Sequence, residues 1–223
     1  MSRYSIIITA GGIGKRMGAD LPKQFIEIAG KPILIHTLEL FFNFDPKAQL
    51  IITLPIEWKE YWKEILQKYQ CTIPHLISDG GLERYHSIKN ALKICTGDFI
   101  AVHDGVRPLV SIETISRCFT NVEKLDQVIP VIPINESLRQ VFDDTSRAVD
   151  RNEFCIVQTP QCFKKSVLEK AYTISFHEGI TDDASLVEEA GFPIHLIEGN
   201  IENIKITSKF DLIVATYYKS LAN

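Results

Sequence analysis

A glycine-rich segment with basic residues follows the first apolar run of the chain, and this combination suits phosphate binding. The segment reads Ala10-Gly11-Gly12-Ile13-Gly14-Lys15-Arg16-Met17, and Pro22-Lys23-Gln24-Phe25 follows it closely. Glycines let backbone N–H groups close around phosphate oxygens, while Arg16 and Lys23 supply countercharge. Two cations beside one glycine loop would repel each other unless a multiply charged anion lay between them. The loop therefore predicts a triphosphate site.

The spacing of this loop fails two better-known nucleotide-binding motifs. Met17 stands where G-x-x-x-x-G-K-[ST] needs a hydroxyl residue and where G-x-G-x-x-G needs its third glycine. A P-loop NTPase and a nicotinamide dehydrogenase are therefore disfavoured, whereas a tight turn without a ligand remains the plain structural alternative.

Two further polar clusters follow predicted strands. In the first, Gly80 and Gly81 lead into a helix that carries Ser87, and a helix N-terminus favours an anion or a polar base edge. In the second, His103-Asp104-Gly105-Val106-Arg107 places a carboxylate and a guanidinium at a strand end. A hard cation prefers carboxylate and phosphate oxygens, so Asp104 is the first candidate for a metal ligand, and a surface Asp–Arg ion pair is the alternative. His103 is expected to be structural.

The elements that must position these residues alternate between short apolar strands and helices. Helical patterns such as Glu57–Tyr69 and Arg84–Ile94 separate most of the predicted strands. The predicted strands are Ser5–Ala10, Gln49–Leu54, Thr72–Ile77, Asp98–His103, Gln127–Pro133 and Ile194–Glu198. This order predicts an α/β fold with a Rossmann-like, mostly parallel sheet covered by helices on both faces. Such a sheet binds ligands beyond the carboxyl ends of its strands.

The segment 135–157 departs from this alternation. It carries many charges and short apolar stretches around the turn-prone Asp143-Asp144-Thr145-Ser146. We interpret it as a hairpin-like arm that projects from one domain comprising residues 1–223. An arm of this kind either packs on a partner subunit or stays a mobile flap, and the sequence favours the partner contact.

Composition limits the classes of partner. A net charge of -4 provides no long-range attraction for nucleic acid or an anionic membrane. Five scattered cysteines without a C-x-x-C pair indicate neither a disulfide framework nor a zinc site. No apolar run approaches the roughly 20 residues of a membrane span. The expectation is a soluble, cytoplasmic protein that binds its anions through individual Lys and Arg residues.

The order of the motifs resembles that of the sugar-phosphate nucleotidyltransferases. The opening A-G-G-x-G-x-R-M and P-K-Q-F are similar to those of the cytidylyltransferases for methylerythritol phosphate and for ribitol phosphate. Further matching motifs are H-D-G-V-R-P at 103–108, D-R-N at 150–152, Q-T-P-Q at 158–161, T-D-D-A-S at 181–185 and N-I-K-I-T at 203–207. Ser87 and the motifs at 150–152 and 181–185 match the methylerythritol group better. The 2-C-methyl-D-erythritol 4-phosphate cytidylyltransferase family is therefore the main hypothesis.

The resemblance implies an enzyme that transfers CMP from CTP to 2-C-methyl-D-erythritol 4-phosphate in isoprenoid precursor synthesis, with pyrophosphate as the second product. The implied fold is of the nucleotide-diphospho-sugar transferase type. The implied cofactor is Mg²⁺ or another divalent cation at Asp104, and the implied assembly is a homodimer joined through the arm. The implied catalytic residues are Arg16, Lys23 and Lys205. The implied nucleotide contacts are Ala10, Gly11, Gly12, Gly14, Gly81, Ser87, Asp104 and Gly105. The implied acceptor contacts are Arg107, Ser137, Arg151, Thr159 and Thr181.

Two positions depart from the family pattern. Leu82 stands where the family often has Asp, so a nucleotide contact there can only come from the backbone. Glu136-Ser137 replaces the usual Asp-Thr, although Ser137 keeps a hydroxyl. A ribitol 5-phosphate cytidylyltransferase and a nucleotide-binding protein without catalysis remain the alternatives. A mere binder, however, would not need the second, acceptor-side cluster of polar residues.

Overall fold

Strands and helices alternate along residues 3–11 and 21–221, which are the parts of the chain that the computed structural model describes. The elements are β1 (Tyr4–Thr9), β2 (Glu27–Ile28), β3 (Lys31–Pro32), α1 (Ile33–Phe44), β4 (Gln49–Leu54), α2 (Lys59–Lys68), β5 (Leu76–Asp79), α3 (Arg84–Leu92), β6 (Phe99–Asp104), α4 (Ile112–Leu125), β7 (Gln127–Pro133), β8 (Leu138–Phe142), β9 (Thr145–Val149), β10 (Cys155–Val157), β11 (Gln161–Lys164), α5 (Lys165–Ala171), α6 (Asp183–Glu189), β12 (His195–Glu198) and α7 (Lys209–Leu221). Short 3-10 helices lie at Lys23–Phe25, Ile56–Trp58 and Arg151–Glu153. The predicted α/β class is confirmed.

Within the described parts of the chain, eight strands form the main sheet, in the order β10-β7-β11-β6-β1-β4-β5, and β12 also pairs with β7. The pairs β6–β1, β1–β4 and β4–β5 are all parallel, so the carboxyl ends of these strands meet at one edge. At that edge Thr9 lies opposite Asp104 on one side and Thr53 on the other. The sheet is mixed, because β11 runs antiparallel to both β6 and β7. Ala10 and Gly11, which follow Thr9 in the chain, therefore lie at the same edge as Asp104.

The core lies on both faces of the sheet, as the continuous apolar runs of its central strands predict. Successive residues of β1 point to opposite faces. Ile6 and Ile8 belong to a buried cluster that contains Phe41 of α1, whereas Ile7 belongs to a second cluster that contains Leu168 of α5. The helices therefore cover the sheet on both sides, which confirms the predicted layering.

The third strand of the chain's main sheet starts later than the sequence predicts. We expected a strand over Thr72–Ile77, but β5 covers Leu76–Asp79. Pro74 has no backbone N–H to donate to a neighbouring strand. The side chain of His75 instead accepts a hydrogen bond from the indole N–H of Trp62 at 3.0 Å. Pairing begins only after these two residues.

The predicted hairpin is present, but it is shorter than the predicted arm. Strands β8 and β9 pair antiparallel from Leu138 opposite Val149 to Phe142 opposite Thr145, as a separate two-stranded sheet. The last residues assigned to the arm, Cys155–Val157, form β10 and pair with β7. The hairpin therefore projects from the main sheet between two strands that belong to it.

The C-terminal helix closes a third, smaller core cluster. Ala215 of α7 is buried with Ile28, Ile33, Val106 and Ile206. This packing holds the segment before α7 against the turn that follows β6. No helix within residues 3–11 and 21–221 has both the length and the apolar character needed to cross a membrane.

Candidate functional site

Asp104 ends β6 and lies among three basic side chains. Its Oδ2 is 3.1 Å from Nε of Arg107 and 3.1 Å from Nζ of Lys205, and its Oδ1 is 3.9 Å from Nε of Arg84. Burial by itself raises the pKa of this carboxyl, but the charges of Arg84, Lys205 and Arg107 outweigh burial and hold the pKa well below its usual range. The site therefore keeps an ionised carboxylate within a group of cations, which we call the Asp104 cluster (Arg84, Asp104, Arg107 and Lys205).

Gly105 lets the strand that carries Asp104 approach the first strand closely. Its backbone N–H donates to the carbonyl of Thr9 at 2.9 Å, and a Cβ built on Gly105 would lie 2.9 Å from that oxygen. A larger residue would push the two strand ends apart. The structure thus explains this glycine by packing, and its predicted contact with the nucleotide stays a prediction.

Thr159 and His103 form a hydrogen-bonded chain that holds the backbone of Asp104 in place. The backbone N–H of Asp104 donates to the Thr159 hydroxyl at 3.1 Å, and that hydroxyl lies 2.9 Å from Nδ1 of His103. Nε2 of His103 lies 3.1 Å from the carbonyl of Arg107. A carbonyl can only accept, so Nε2 carries the proton and Nδ1 accepts from Thr159. Thr159 is predicted to bind the acceptor, but it is buried. Its hydroxyl accepts from the backbone of Asp104 and donates to His103.

His103 is fully buried, and burial lowers its pKa from 6.5 to about 4. The folded protein keeps this imidazole neutral while the unfolded chain protonates it, so its contribution to stability is present above about pH 6.5 and is lost as the pH falls toward 4. Acidification from about pH 7 to about pH 4.5 should therefore lower the free energy of unfolding by about 2–3 kcal/mol through this residue alone. Urea unfolding of wild type and His103→Gln at both pH values measures the effect.

In that comparison glutamine keeps a donor and an acceptor but does not titrate. The variant should lose about 2–3 kcal/mol less stability on acidification than the wild type does. Equal losses in the two proteins would contradict the assignment of a neutral, buried imidazole.

The two glycine loops meet at Ser87. The Ser87 hydroxyl accepts a hydrogen bond from the backbone N–H of Gly81 at 2.9 Å and donates to the carbonyl of Glu83 at 3.2 Å. A Cβ on Gly81 would lie 2.3 Å from the Cβ of His86, so only glycine fits there, and a Cβ on Gly11 would lie 3.7 Å from the Ser87 hydroxyl. The predicted residues Gly12, Gly14 and Arg16 lie outside the described residues.

Lys23 and Ala10 are held by the elements around the first loop. Nζ of Lys23 donates to the carbonyl of Ile206 at 3.3 Å, which ties the P-K-Q-F motif to the segment that carries Lys205. The carbonyl of Ala10 accepts from the side-chain amide of Gln24 at 2.6 Å. The motifs at the two ends of the chain are therefore adjacent in space.

The predicted acceptor residues do not all lie together. Thr181 is exposed and lines a cavity of about 450 Å³, which Arg84 also lines. Arg151 donates to the carbonyl of Asn135, in the segment that leads to Ser137. Among the described residues no contact joins Ser137 or Arg151 to the Asp104 cluster. Within one described chain, Arg151 is bonded to Asn135 rather than to a residue of the Asp104 cluster.

Several residues of the site were missed by the sequence interpretation. Nη2 of Arg84 donates to Asp183 at 2.6 Å, and the other oxygen of Asp183 accepts from the Tyr172 hydroxyl at 2.6 Å. Of the two acids in the T-D-D-A-S motif, Asp182 caps α6 by accepting from the backbone N–H of Ser185, whereas Asp183 is completely buried. Nothing in the sequence separates the capping acid from its buried neighbour. Asn203, also missed, is buried beside Lys205.

The donor set of the site limits how a metal ion could be held. Within residues 3–11 and 21–221, no group of three or more His, Cys, Asp or Glu side chains is arranged to hold a metal ion. A divalent cation at Asp104 would therefore need further oxygens from a bound phosphate compound, which is how Mg²⁺ is commonly held.

Comparison with known proteins finds similarity along nearly the whole chain. The family model described as IspD, 2-C-methyl-D-erythritol 4-phosphate cytidylyltransferase, matches residues 4–220. The chain is 49% identical over 217 residues to the protein of that name from Bacteroides fragilis, which covers 97% of this chain and 99% of the relative. It is 47% identical over 215 residues to the one from Bacteroides thetaiotaomicron, covering 96% and 98%. The crystal structure of 4-diphosphocytidyl-2C-methyl-D-erythritol synthase from Anaerococcus prevotii superposes with a TM-score of 0.83 at 28% identity, covering 97% of this chain and 96% of that one.

Proposed function

The chain belongs to the 2-C-methyl-D-erythritol 4-phosphate cytidylyltransferase family, and we propose that the Asp104 cluster is the centre of its active site. The chain is a cytidylyltransferase: it transfers CMP from CTP to 2-C-methyl-D-erythritol 4-phosphate and releases pyrophosphate. The observation that supports the site is the convergence of Arg84, Arg107 and Lys205 on one ionised carboxylate at the edge where the parallel strands end. Cations gathered there suit a reaction between two phosphate compounds.

The reaction needs charge stabilisation more than it needs a base. An oxygen of the acceptor phosphate attacks the α-phosphorus of CTP, the bond to the bridging oxygen breaks, and pyrophosphate leaves in line. The acceptor phosphate is already ionised at neutral pH, so no group has to remove a proton. His103 fits this scheme, because it is neutral, fully buried and hydrogen-bonded to protein groups on both ring nitrogens.

Among the basic residues in the described parts of the chain, Lys205 is the best placed to contact the phosphate that is transferred. Its side chain is 44% exposed while its ammonium contacts Asp104, so it faces solvent at the rim of the cluster. Lys23 reaches the same segment through the carbonyl of Ile206. We assign Lys205 and Lys23, with Arg16 of the first loop, to the negative charge that builds up during transfer.

Mg²⁺, or another divalent cation, fits the donor set at this site. Asp104 supplies a hard oxygen ligand whose pKa is held well below its usual range by the neighbouring cations, so the ligand is ionised at neutral pH. The remaining ligands would be phosphate oxygens of CTP. When bound, the cation would neutralise charge on the triphosphate.

The glycine loops are assigned to the nucleotide. Ser87 closes the loop at Gly81 so that the backbone of this loop is held in place, and Gly11 lies beside the same hydroxyl. Leu82 is 96% exposed and has no polar side-chain atom, so a hydrogen bond from this residue to a base would come from its backbone. Backbone groups fixed in this way can distinguish cytosine by its hydrogen-bonding edge.

The acceptor is assigned to Arg107 and Thr181 of one chain and to Ser137 and Arg151 of another. We propose a homodimer in which the hairpin lies on the partner subunit. Support comes from exposed apolar side chains on the hairpin, where Val141 is 74% exposed and Phe142 is also exposed, and on or next to the edge strand β10, where Ile156 and Phe154 are exposed. An exposed apolar edge strand is normally covered by another element. Within one described chain Arg151 bonds to Asn135 and to no residue of the Asp104 cluster, which agrees with a contribution to the second site.

This arrangement predicts complementation between two inactive variants. A heterodimer of Arg151→Ala and Lys205→Ala subunits would contain one site with both changes and one site with neither, so it should recover about half of the wild-type activity. Purification of the heterodimer with two different affinity tags, followed by assay at low acceptor concentration, measures the recovery. Activity no higher than that of the two parental homodimers would show that Arg151 serves its own chain.

We also place the enzyme in the cytoplasm. All five cysteines are free thiols, and Cys95, Cys118 and Cys162 are buried, as expected of a protein from a reducing compartment. Fractionation of cells expressing the protein tests this placement.

Pyrophosphate release tests the function directly. The purified protein is assayed with Mg²⁺ and either CTP or ATP, and with either methylerythritol phosphate or ribitol phosphate as acceptor. We expect release only with CTP and methylerythritol phosphate. Release with ribitol phosphate instead would keep the cluster and replace the acceptor, whereas no release in any combination would contradict the function.

A further inference from the structure

Asn203 is completely buried two residues before Lys205 and contacts the segments that support Asp104. Its side-chain NH₂ donates to the carbonyl of Thr159 at 2.8 Å. Its backbone carbonyl accepts from Nη1 of Arg107 at 2.7 Å. One asparagine thus joins the segment of Lys205 to Thr159, which bonds to the backbone of Asp104, and to Arg107 in the turn that follows Asp104.

A second buried amide completes the attachment. Gln158 donates through Nε2 to the carbonyl of Asn200 at 2.9 Å, and its Oε1 accepts from the Asn203 side chain at 3.3 Å. The chain approaches this side chain so closely that a Cβ on Gly199 would lie 2.3 Å from its Oε1. The segment 199–203 is therefore held over several residues by Gln158 and Asn203 together.

The orientation of the Asn203 amide follows from its neighbours. Thr159 and Gln158 both present oxygen atoms to it, so the NH₂ group must face them. Its Oδ1 is buried, and no group in residues 3–11 and 21–221 donates a hydrogen bond to it. Burying an oxygen without a hydrogen bond lowers the stability of the folded state. The favourable contribution of the Asn203 side chain therefore comes from the two bonds that its NH₂ group donates.

Lys205 lies between two fixed points. Asn203 on one side and Ile206 on the other are both fully buried, and the N–H of Ile206 donates to the carbonyl of Val106 at 3.0 Å. Lysine side chains lose considerable conformational freedom when they are held in one geometry. Fixing the backbone at both ends leaves only the side-chain torsions to be ordered when the ammonium meets its target.

We propose that Asn203 is the positioning residue of Lys205: it anchors the 200–206 segment to Thr159, Gln158 and Arg107 so that the Lys205 ammonium is held at the reacting phosphate. This inference rests on the proposed function, because the reaction gives Lys205 its task. Asn203 touches neither substrate in this scheme and acts only through the lysine.

A double-mutant cycle tests the inference. Asn203→Ala should lower kcat by roughly 10- to 100-fold, as expected when a catalytic group is displaced by about 1 Å. In a Lys205→Ala background the same change should cost less than about 3-fold, because the group that Asn203 positions is gone. Losses that multiply in the double variant, or an Asn203→Ala protein with wild-type kcat, would overturn the proposal.

Two further proteins keep the test decisive if Asn203→Ala folds poorly. Gln158→Met retains most of the side-chain volume but removes the amide bonds, and it should lower kcat in the same non-additive way. Gln49→Ala is the matched control, because it loses hydrogen bonds to Ile94 and Thr96 at the opposite end of the strands. It should lower Tm and leave kcat within about 2-fold of wild type. An equal loss of kcat in this control would reduce Asn203 to a purely structural residue.

Wild-type turnover of CTP is established before the cycle is measured. A failure of the proposed function would therefore be seen in the wild type, whereas a failure of the positioning role would be seen only as additivity among the variants.

Discussion

Replacing Lys205 by alanine is expected to lower kcat by roughly 10²- to 10³-fold, which is the usual cost of removing one preorganised group that stabilises transition-state charge. The lysine lies at the rim of the Asp104 cluster with its ammonium 3.1 Å from Oδ2 of Asp104. Its charge acts where two phosphates meet, so its loss should appear mainly in kcat. Steady-state assays of pyrophosphate release with saturating CTP and acceptor measure the effect.

The matched control is Lys209→Ala, four residues further along the chain. Lys209 is exposed at the start of α7. This variant loses the same charge and side chain without touching the cluster, so its kcat should stay within about 2-fold of wild type. A Lys205→Ala protein that keeps its turnover, or a control that loses as much, would contradict the assignment of Lys205 to catalysis.

Replacing Asp104 by alanine is expected to affect both stability and activity. The carboxylate is 9% exposed and faces Arg107, whose side chain is 12% exposed, as well as Lys205 and Arg84. Its removal leaves the largely buried Arg107 without its anionic partner and beside two other cations, and breaking a buried ion pair from one side costs about 3–5 kcal/mol. Urea unfolding measures this loss, and the enzyme assay should detect no turnover because the proposed metal ligand is gone.

Asp104→Asn separates charge from shape in this experiment. Asparagine preserves the volume and leaves the backbone bond to Thr159 in place, so its effects come from the missing charge. The control Asp126→Asn breaks an ion pair to Lys164 at 3.3 Å in which both side chains are nearly half exposed, and it should cost less than about 1 kcal/mol. If Asp104→Asn has the same free energy of unfolding as the wild type, the charge of Asp104 does not contribute to the stability of the protein.

The two substitutions have different expected effects on stability because Asp104 is buried and Lys205 is partly exposed. Asp104 is enclosed, so its loss disturbs the folded state itself, whereas Lys205 is partly solvated and can be removed with little loss of stability. Together they separate the residue that organises the cluster from the residue that acts on the substrate.

The sequence alone determined the class of fold and the edge of the sheet where the site lies. Continuous apolar runs such as those within β1 and β6 form buried parallel strands because their residues are apolar on both faces. The glycine loop and the H-D-G-V-R-P motif follow these strands, so their positions at the carboxyl edge could be predicted. These features depend on local periodicity and chain order, which are readable without coordinates.

Only the tertiary structure decided the antiparallel part of the sheet and the start of β5. Strand β11 inserts between β6 and β7, although it follows both in the chain. Its direction depends on packing against strands that are distant in sequence, and periodicity carries no information about direction. The bond between Trp62 and His75, which helps to delay β5, likewise joins residues from different elements.

The composition of the site was also decided by the tertiary structure. Motif matching found the Asp104–Arg107 motif and Lys205 separately. The contact of Lys205 and Arg84 with Asp104 follows from packing of segments that are distant in the chain. The same packing turned Thr159 inward and buried Asn203 beside Lys205. Residue types and spacing determine which chemistry is available, whereas the distances and burial that set the charge state of each group exist only once the strands and their loops have packed together.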